Sequence, residues 1–194
     1  MNSVFSLSGY ILKRQGLSIA GKYQLLGLQS DEPLLFIEEK MKWFPPSTAV
    51  HVFADAKKKQ EVLTLKDSEV EDIEMDVFDV ESGQKIGSIG VLADNLSEFV
   101  KDAWVIMDEE DKPIAKVIEK SAGQAFLREM LDNELPQQID ITVGETVVAE
   151  LRQKVKMIGY DLIIDFSMDI AHGLDRRLGL AAAIYAAIHQ GREV

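Results

Sequence analysis

A chain of 194 residues with 46% hydrophobic and 28% charged side chains has the size and composition of one globular domain. The absence of cysteine excludes a disulfide framework, thiol catalysis and cysteine-ligated zinc. A net charge of −12, from 33 acidic and 21 basic residues, opposes nucleic-acid binding, because phosphate contacts depend on Lys and Arg.

The first residues, Met1 to Ser8, lack the basic region and apolar core of a secretory signal, so a cytoplasmic location is expected. From residue 10 onward the chain breaks into short stretches that favour β-strands, with turn residues between them. Twelve strands are predicted, and together they span about 4–168. They are Tyr10–Lys13, Lys22–Leu28, Leu34–Lys42, Ala49–Ala54, Glu61–Lys66, Ile73–Val80, Lys85–Val91, Ala103–Met107, Pro113–Glu119, Gln138–Val143, Thr146–Met157 and Tyr160–Met168.

A strand, acidic turn and returning strand recur along the chain. Residues 73–91 turn at Glu81–Gln84, and residues 103–119 turn at Asp108–Lys112. The repeat has no fixed period, which favours an antiparallel meander over a solenoid.

Two segments depart from the strand pattern. Residues 121–133 place apolar side chains at helical spacing and predict one short outer helix that stops before Pro136. Residues 174–190 predict a second helix that is apolar on every side, so it must be buried on every face or enter a membrane. Its uncharged run of 11 residues is shorter than the roughly 20 that a span needs, which favours a buried core helix.

The predicted fold is mainly β (α+β): a closed barrel of about twelve mostly antiparallel strands around a central hydrophobic C-terminal helix. Strands with one apolar face must close or stack to protect their edges, and a barrel this large has an interior wider than its own side chains fill. No low-complexity linker divides the chain, so one domain over residues 1–194 is expected. The helix residues predicted to form the core are Leu178, Leu180, Ala183, Ile184, Tyr185, Ala187 and Ile188.

Four features resemble the tubby C-terminal-like superfamily, in particular its LURP-one-related and phospholipid scramblase branch. The first is Tyr10–Gln15 leading to Pro33–Lys40, and the second is the pair of hairpins Val77–Gly87 and Val105–Ala115. The others are Tyr160–Ile170 and the apolar terminal helix. The resemblance implies a twelve-stranded barrel around a central C-terminal helix.

For function, the resemblance implies contact with phospholipid or a protein partner. Tubby domains bind phosphoinositides through basic residues, but no local motif of this chain matches theirs. Scramblases carry an acidic segment, proposed to bind calcium, before the last helix. Asp169 matches one of its acidic positions, whereas Ile158 and Tyr160 occupy others and offer no carboxylate.

The residues themselves point to few sites. Arg152, Lys154 and Lys156 form an outward basic stripe, with Lys40 and Lys42 as further candidates for an anionic headgroup. Asp161, Asp165 and Asp169 alternate on one predicted strand face about 13 Å apart, too far for a single calcium site, and are interpreted as a solvated outer face.

The three histidines, His51, His172 and His189, have no metal-ligand spacing, and no catalytic or nucleotide-binding motif is present. No metal and no cofactor are therefore predicted.

A non-enzymatic binding module is the predicted function, one that contacts membrane phospholipid headgroups or a protein partner. It would lie in the cytoplasm or at the periphery of a membrane, with no nucleic-acid partner and no transmembrane span. Two alternatives remain: a carrier of a small apolar ligand inside the barrel, and a hydrolase whose site is assembled from loops. The helix opposes the carrier, because it occupies the space that a ligand would need.

Overall fold

Twelve antiparallel strands pair in chain order, and the first pairs with both the second and the twelfth, so the sheet closes on itself. The computed structural model describes residues 3–16, 21–43, 46–91, 103–119, 138–155 and 160–190. The strands are β1 Gly9–Arg14, β2 Lys22–Gly27, β3 Pro33–Trp43, β4 Pro46–Phe53, β5 Glu61–Asp67, β6 Ile73–Asp79, β7 Lys85–Val91, β8 Ala103–Met107, β9 Pro113–Glu119, β10 Gln138–Val143, β11 Thr146–Val155 and β12 Tyr160–Asp165. The predicted closed barrel is confirmed.

Alternation along each strand sends one set of side chains into the barrel. In β12 the inward residues are Leu162 and Ile164, and Ile164 pairs in register with buried Tyr10 of β1. Burial raises the pKa of Tyr10 to about 12, and its hydroxyl donates to the Val4 carbonyl oxygen at 2.7 Å. The inward side chains of the wall and the helix form the main apolar core, and Ile73, Val105 and Met107 form a second, smaller cluster.

Two predicted strand boundaries are wrong by three residues, and several others differ by one. β4 begins at Pro46 rather than Ala49, because Pro46 pairs with Trp43 at the end of the long β3–β4 hairpin, where proline's missing N–H is tolerated. β12 ends at Asp165 rather than Met168, because the Asp165 carboxylate accepts the Ser167 N–H and turns the chain. Residues 166–175 are therefore a loop.

The C-terminal helix α1, Arg176–Gln190, lies inside the barrel. The Tyr23 hydroxyl of β2 donates to the Ala187 carbonyl oxygen at 3.4 Å, and Trp104 of β8 meets the edge of Tyr185 at 5.7 Å. β2 and β8 are six strands apart in a ring of twelve, so the helix contacts opposite walls. Of the helix residues predicted for the core, all are buried except Tyr185, which is partly buried.

The helix begins at Arg176 rather than at Leu174, because Asp175 caps it. The Asp175 carboxylate accepts the Arg177 N–H at 2.8 Å, and its carbonyl oxygen accepts the Gly179 N–H at 3.0 Å. At Gly179 an added Cβ would lie 2.6 Å from the Phe166 ring, so only glycine allows this close approach to the wall.

An ion cluster fixes the start of the helix to the wall. The Arg177 guanidinium donates to the carboxylates of Asp175 and of Asp79 at the end of β6. Hydrogen bonds that the guanidinium donates to the carboxylates of Asp175 and Asp79 raise the pKa of Arg177 further. A backbone hydrogen bond from Ser82, together with Arg177, lowers the pKa of the Asp79 carboxyl below its ordinary value.

The free energy of unfolding is expected to fall as the pH drops below about 4, because Asp79 has a lower pKa folded than unfolded. The stabilisation from the Asp79 carboxylate is present above its pKa in the unfolded chain. It is lost as the pH falls through its lower pKa in the folded protein. Urea unfolding at several pH values will measure the slope. Asp79→Asn should lower the free energy of unfolding near pH 7 and reduce its fall at acid pH. Asp31→Asn, a substitution in an exposed turn, should leave that fall unchanged. If stability falls at acid pH as steeply in Asp79→Asn as in the wild type, Asp79 is not the group responsible.

The predicted outer helix at 121–133 lies outside the described residues, so its prediction stays open. Within the described ranges, no helix has the length and apolarity to cross a bilayer.

Candidate functional site

The predicted basic residues do not form a single patch. Lys40 and Lys42 are exposed on β3, and Arg152 and Lys154 are exposed on β11, while Lys156 lies outside the described residues. Because odd-numbered strands run in the same direction, both pairs lie toward the same end of the barrel. The strands β12, β1 and β2 separate them, however, which places them roughly 19 Å apart along the wall.

Arg152 is already engaged with carboxylates. Its guanidinium lies 3.6 Å from Asp165 and 3.8 Å from Glu150, and its side chain is 48% exposed. A backbone hydrogen bond from Ser167, with a smaller effect from Arg152, lowers the pKa of Asp165. Lys154 faces Asp161 across the β11–β12 ladder. The β11 stripe therefore offers an anion less free positive charge than its sequence suggests.

The β3 lysines lie on a projecting pair of strands, which we call the hairpin arm: residues 40–43 of β3 and 46–48 of β4. Within the described residues, the β2 ladder reaches β3 only as far as Glu38, and the β5 ladder begins at Ala49. Met41, Lys42 and Trp43 pair with Thr48, Ser47 and Pro46 across the β3–β4 ladder, and Lys40 pairs with Ala49 at the base of the arm. Alternation puts Lys40 and Lys42 on one face and Met41, 41% exposed, on the other.

Next to the arm, at the end of the barrel where α1 finishes, lies a cleft of about 210 Å³. Its apolar base and polar rim consist of Thr48, Asp67, Glu74, Met75, Tyr185, Ile188 and His189. The Asp67 carboxylate accepts the Thr48 N–H at 2.6 Å, so one oxygen of this carboxylate is already hydrogen-bonded within the protein. The interior itself is filled by helix side chains, which disfavours the predicted carrier of an apolar ligand.

The histidines lie in three separate places. His51 contacts Glu61 through Nδ1 at 2.6 Å, and the Thr64 hydroxyl donates to the same carboxylate oxygen at 2.5 Å. That hydroxyl is thus directed at Glu61 rather than at the imidazole, which is not the geometry of a nucleophile activated by histidine. His189 lies 5.7 Å from Trp104, ring to ring, and His172 is exposed in the loop before α1.

The interpretation of Asp161, Asp165 and Asp169 as one solvated face is wrong, because Asp161 and Asp169 are buried. The Asp169 carboxylate accepts the Gly173 N–H at 2.7 Å and lies 3.6 Å from the Arg176 guanidinium. A guanidinium at that distance opposes a cation, so calcium binding at Asp169 is disfavoured. In the described part of the chain no three His, Asp or Glu side chains gather closely enough to hold a metal ion.

The end of the barrel opposite the arm is strongly acidic, and sequence reasoning missed it. Six connections meet there: the turns β2–β3, β4–β5, β6–β7, β8–β9 and β10–β11, and the loop from β12 to α1. They carry eleven carboxylates against four lysines, a net charge of −7. We call this end the acidic end; its carboxylates are Asp31, Glu32, Asp55, Glu81, Asp108, Glu109, Glu110, Asp111, Glu145, Asp169 and Asp175, and its lysines are Lys57, Lys58, Lys59 and Lys112.

Some of this negative charge is balanced by lysine on the neighbouring wall. Lys85 of β7 contacts Asp111 and Asp76, both at 2.7 Å, and the Ser88 hydroxyl donates to Asp111 at 2.6 Å. Burial acts to raise the pKa of Asp111, but the hydrogen bonds from Lys85 and Ser88 outweigh it and hold that pKa below its ordinary value.

Comparison with known proteins identifies no relative: no family model matches the chain, and no curated protein matches it.

Proposed function

We propose that this protein is a non-enzymatic binding module that contacts anionic phospholipid headgroups through the hairpin arm. The observation that carries the proposal is the arm itself, with Lys40 and Lys42 exposed on strands that extend past their neighbours. Lysine near an anionic bilayer contributes about 1 kcal/mol per residue. Met41 adds exposed apolar surface, and the sequence continues Trp43-Phe44, residue types that favour the membrane interface.

The charge of the two sets of connections differs only slightly: their residues sum to −7 at the acidic end and to −5 in the alternate connections. A net charge of −12 repels an anionic membrane. The arm projects from the end opposite the acidic end. The β5–β6 turn near the arm also carries Glu69, Glu71 and Asp72, so attraction is confined to the arm and binding should be weak and sensitive to salt.

Membership of the LURP-one-related and scramblase-like branch is part of the same proposal. The sequences of Val77–Gly87, Val105–Ala115 and Tyr160–Ile170 support it, as does a barrel that encloses a C-terminal helix. Lipid contact by the arm does not depend on this membership.

The double substitution Lys40→Gln and Lys42→Gln is expected to weaken binding to vesicles of phosphatidylcholine and phosphatidylserine about 30-fold, at about 1 kcal/mol per lysine. Vesicle co-sedimentation at low and physiological salt will measure it. Lys57→Gln with Lys59→Gln is the matched control, because it removes the same charge from exposed positions at the acidic end. It should bind as the wild type does.

Two outcomes would contradict the proposal. One is that the wild type fails to bind these vesicles at low salt. The other is that the arm variant and the control variant lose binding equally, because a general charge effect would then explain the result.

A further inference from the structure

Large apolar side chains are exposed in three adjacent loops of the acidic end. Leu7 precedes β1, Leu28 follows β2, and Met168 and Ile170 follow β12; we call these four residues the apolar patch. The loops are neighbours because β1 pairs with both β2 and β12. The Phe166 N–H also donates to the Ser8 carbonyl oxygen at 2.7 Å, which ties the loop after β12 to the start of β1.

Ile170 is the most exposed of the four, at 87%, and a well-braced loop presents it. Its neighbour Asp169 is buried, accepts the Gly173 N–H at 2.7 Å and faces Arg176. The Asp169 N–H donates to the Phe166 carbonyl oxygen just before Ile170, and the His172 N–H donates to the Asp169 carbonyl oxygen in a turn that contains Ile170. An apolar side chain held in place before a partner arrives contributes more to affinity, because less conformational entropy is lost on binding.

Exposed carboxylates flank the apolar patch. Asp31 and Glu32 are exposed in the turn beside Leu28, and the connections of the acidic end have a net charge of −7, or −5 when Arg176 and Arg177 at the start of α1 are added. The nearby cations Arg176 and Arg177 are both engaged with carboxylates. This field repels anionic lipid and nucleic acid and attracts a cationic surface.

We infer that the apolar patch is a docking surface for a partner protein that presents an amphipathic helix with apolar residues on one face and Lys or Arg beside them. Exposed apolar side chains grouped within a polar rim mark interaction sites, and an amphipathic helix supplies apolar anchors along one face. Charge complementarity selects the basic helix over an acidic one. This function lies at the opposite end from the lipid-binding arm and does not depend on it.

The inference is tested with two synthetic helical peptides that share a leucine face and differ only in carrying Lys or Glu at the flanking positions. Fluorescence anisotropy of labelled peptide will measure affinity, and amide chemical shifts will locate the contact. The Lys peptide should bind, with shifts centred on residues 165–173 and 28–32, and the Glu peptide should not. Ile170→Ser should weaken the Lys peptide about 30-fold, the effect of losing a hot-spot anchor.

Val70→Ser is the control, because Val70 is exposed in the β5–β6 turn at the other end; this variant should bind as the wild type does. Asp31→Lys with Glu32→Lys should weaken the Lys peptide without unfolding the protein. Equal binding of both peptides, or an unchanged affinity in Ile170→Ser, would overturn the inference. So would concentration-dependent dimerisation that Ile170→Ser abolishes, since a second copy of this chain would then occupy the patch.

Discussion

Ala183→Arg is expected to leave almost no folded protein. Ala183 is fully buried in the middle of α1, where the helix meets the barrel wall. A guanidinium there would be an unpaired buried charge, which costs several kcal/mol, and its volume would overpack the core by about 1–3 kcal/mol more. Together these penalties are comparable to the whole stability of a domain, about 5–15 kcal/mol.

Ala171→Arg is the matched control, because it makes the same substitution in the exposed loop before the helix. The yield of folded protein after expression, followed by circular dichroism and thermal unfolding, will compare the two. The control should retain the wild-type spectrum and transition. An Ala183→Arg variant that melts near the wild-type temperature would show that the helix is not essential to the core.

The barrel could be predicted because its causes are local. Residues 73–79 and 146–155 alternate with period two, and acidic or glycine-containing turns separate the strands. The helix could be placed inside because Leu178–Ile188 has no polar side and is too short to span a bilayer. Such patterns are compatible with few folds other than a barrel that encloses the helix.

The misplaced end of β12 shows what alternation cannot reveal. Phe166, Met168 and Asp169 continue the period-two pattern, so the sequence predicts a longer strand with Asp169 in solvent. The actual turn depends on the Asp165 carboxylate bonding the Ser167 N–H, and the burial of Asp169 depends on Arg176. Both are contacts of particular side chains that periodicity does not encode.

The candidate site was only partly predictable, for a topological reason. Lys40 and Lys42 can be recognised as exposed basic residues, but their separation from Arg152 and Lys154 depends on the order of strands around the closed barrel. The acidic end did leave a signal in the sequence. In an antiparallel meander every second turn lies at the same end, and adding the charges of alternate connections gives −7 for this set and −5 for the other.

Asp169→Ala is expected to lower the free energy of unfolding by about 3–5 kcal/mol, because it removes one partner of a buried ion pair. The Asp169 side chain is 1% exposed and that of Arg176 is 10% exposed. The substitution removes the carboxylate from the guanidinium, which lies 4.1 Å from the Phe166 ring, and leaves the Gly173 N–H without its acceptor. Urea unfolding followed by circular dichroism will measure the loss.

Two further variants separate the charge from the hydrogen bond. Asp169→Asn keeps an acceptor for the Gly173 N–H but removes the negative charge, so it should be less damaging than alanine. Adding Arg176→Met to Asp169→Ala should recover most of the lost stability, because the uncompensated charge is then gone and the aliphatic side chain can pack on Phe166. If the double variant is as unstable as Asp169→Ala alone, the buried charge is not the cause of the lost stability. The cause is then the lost hydrogen bond from the Gly173 N–H, which shapes the Ile170 loop.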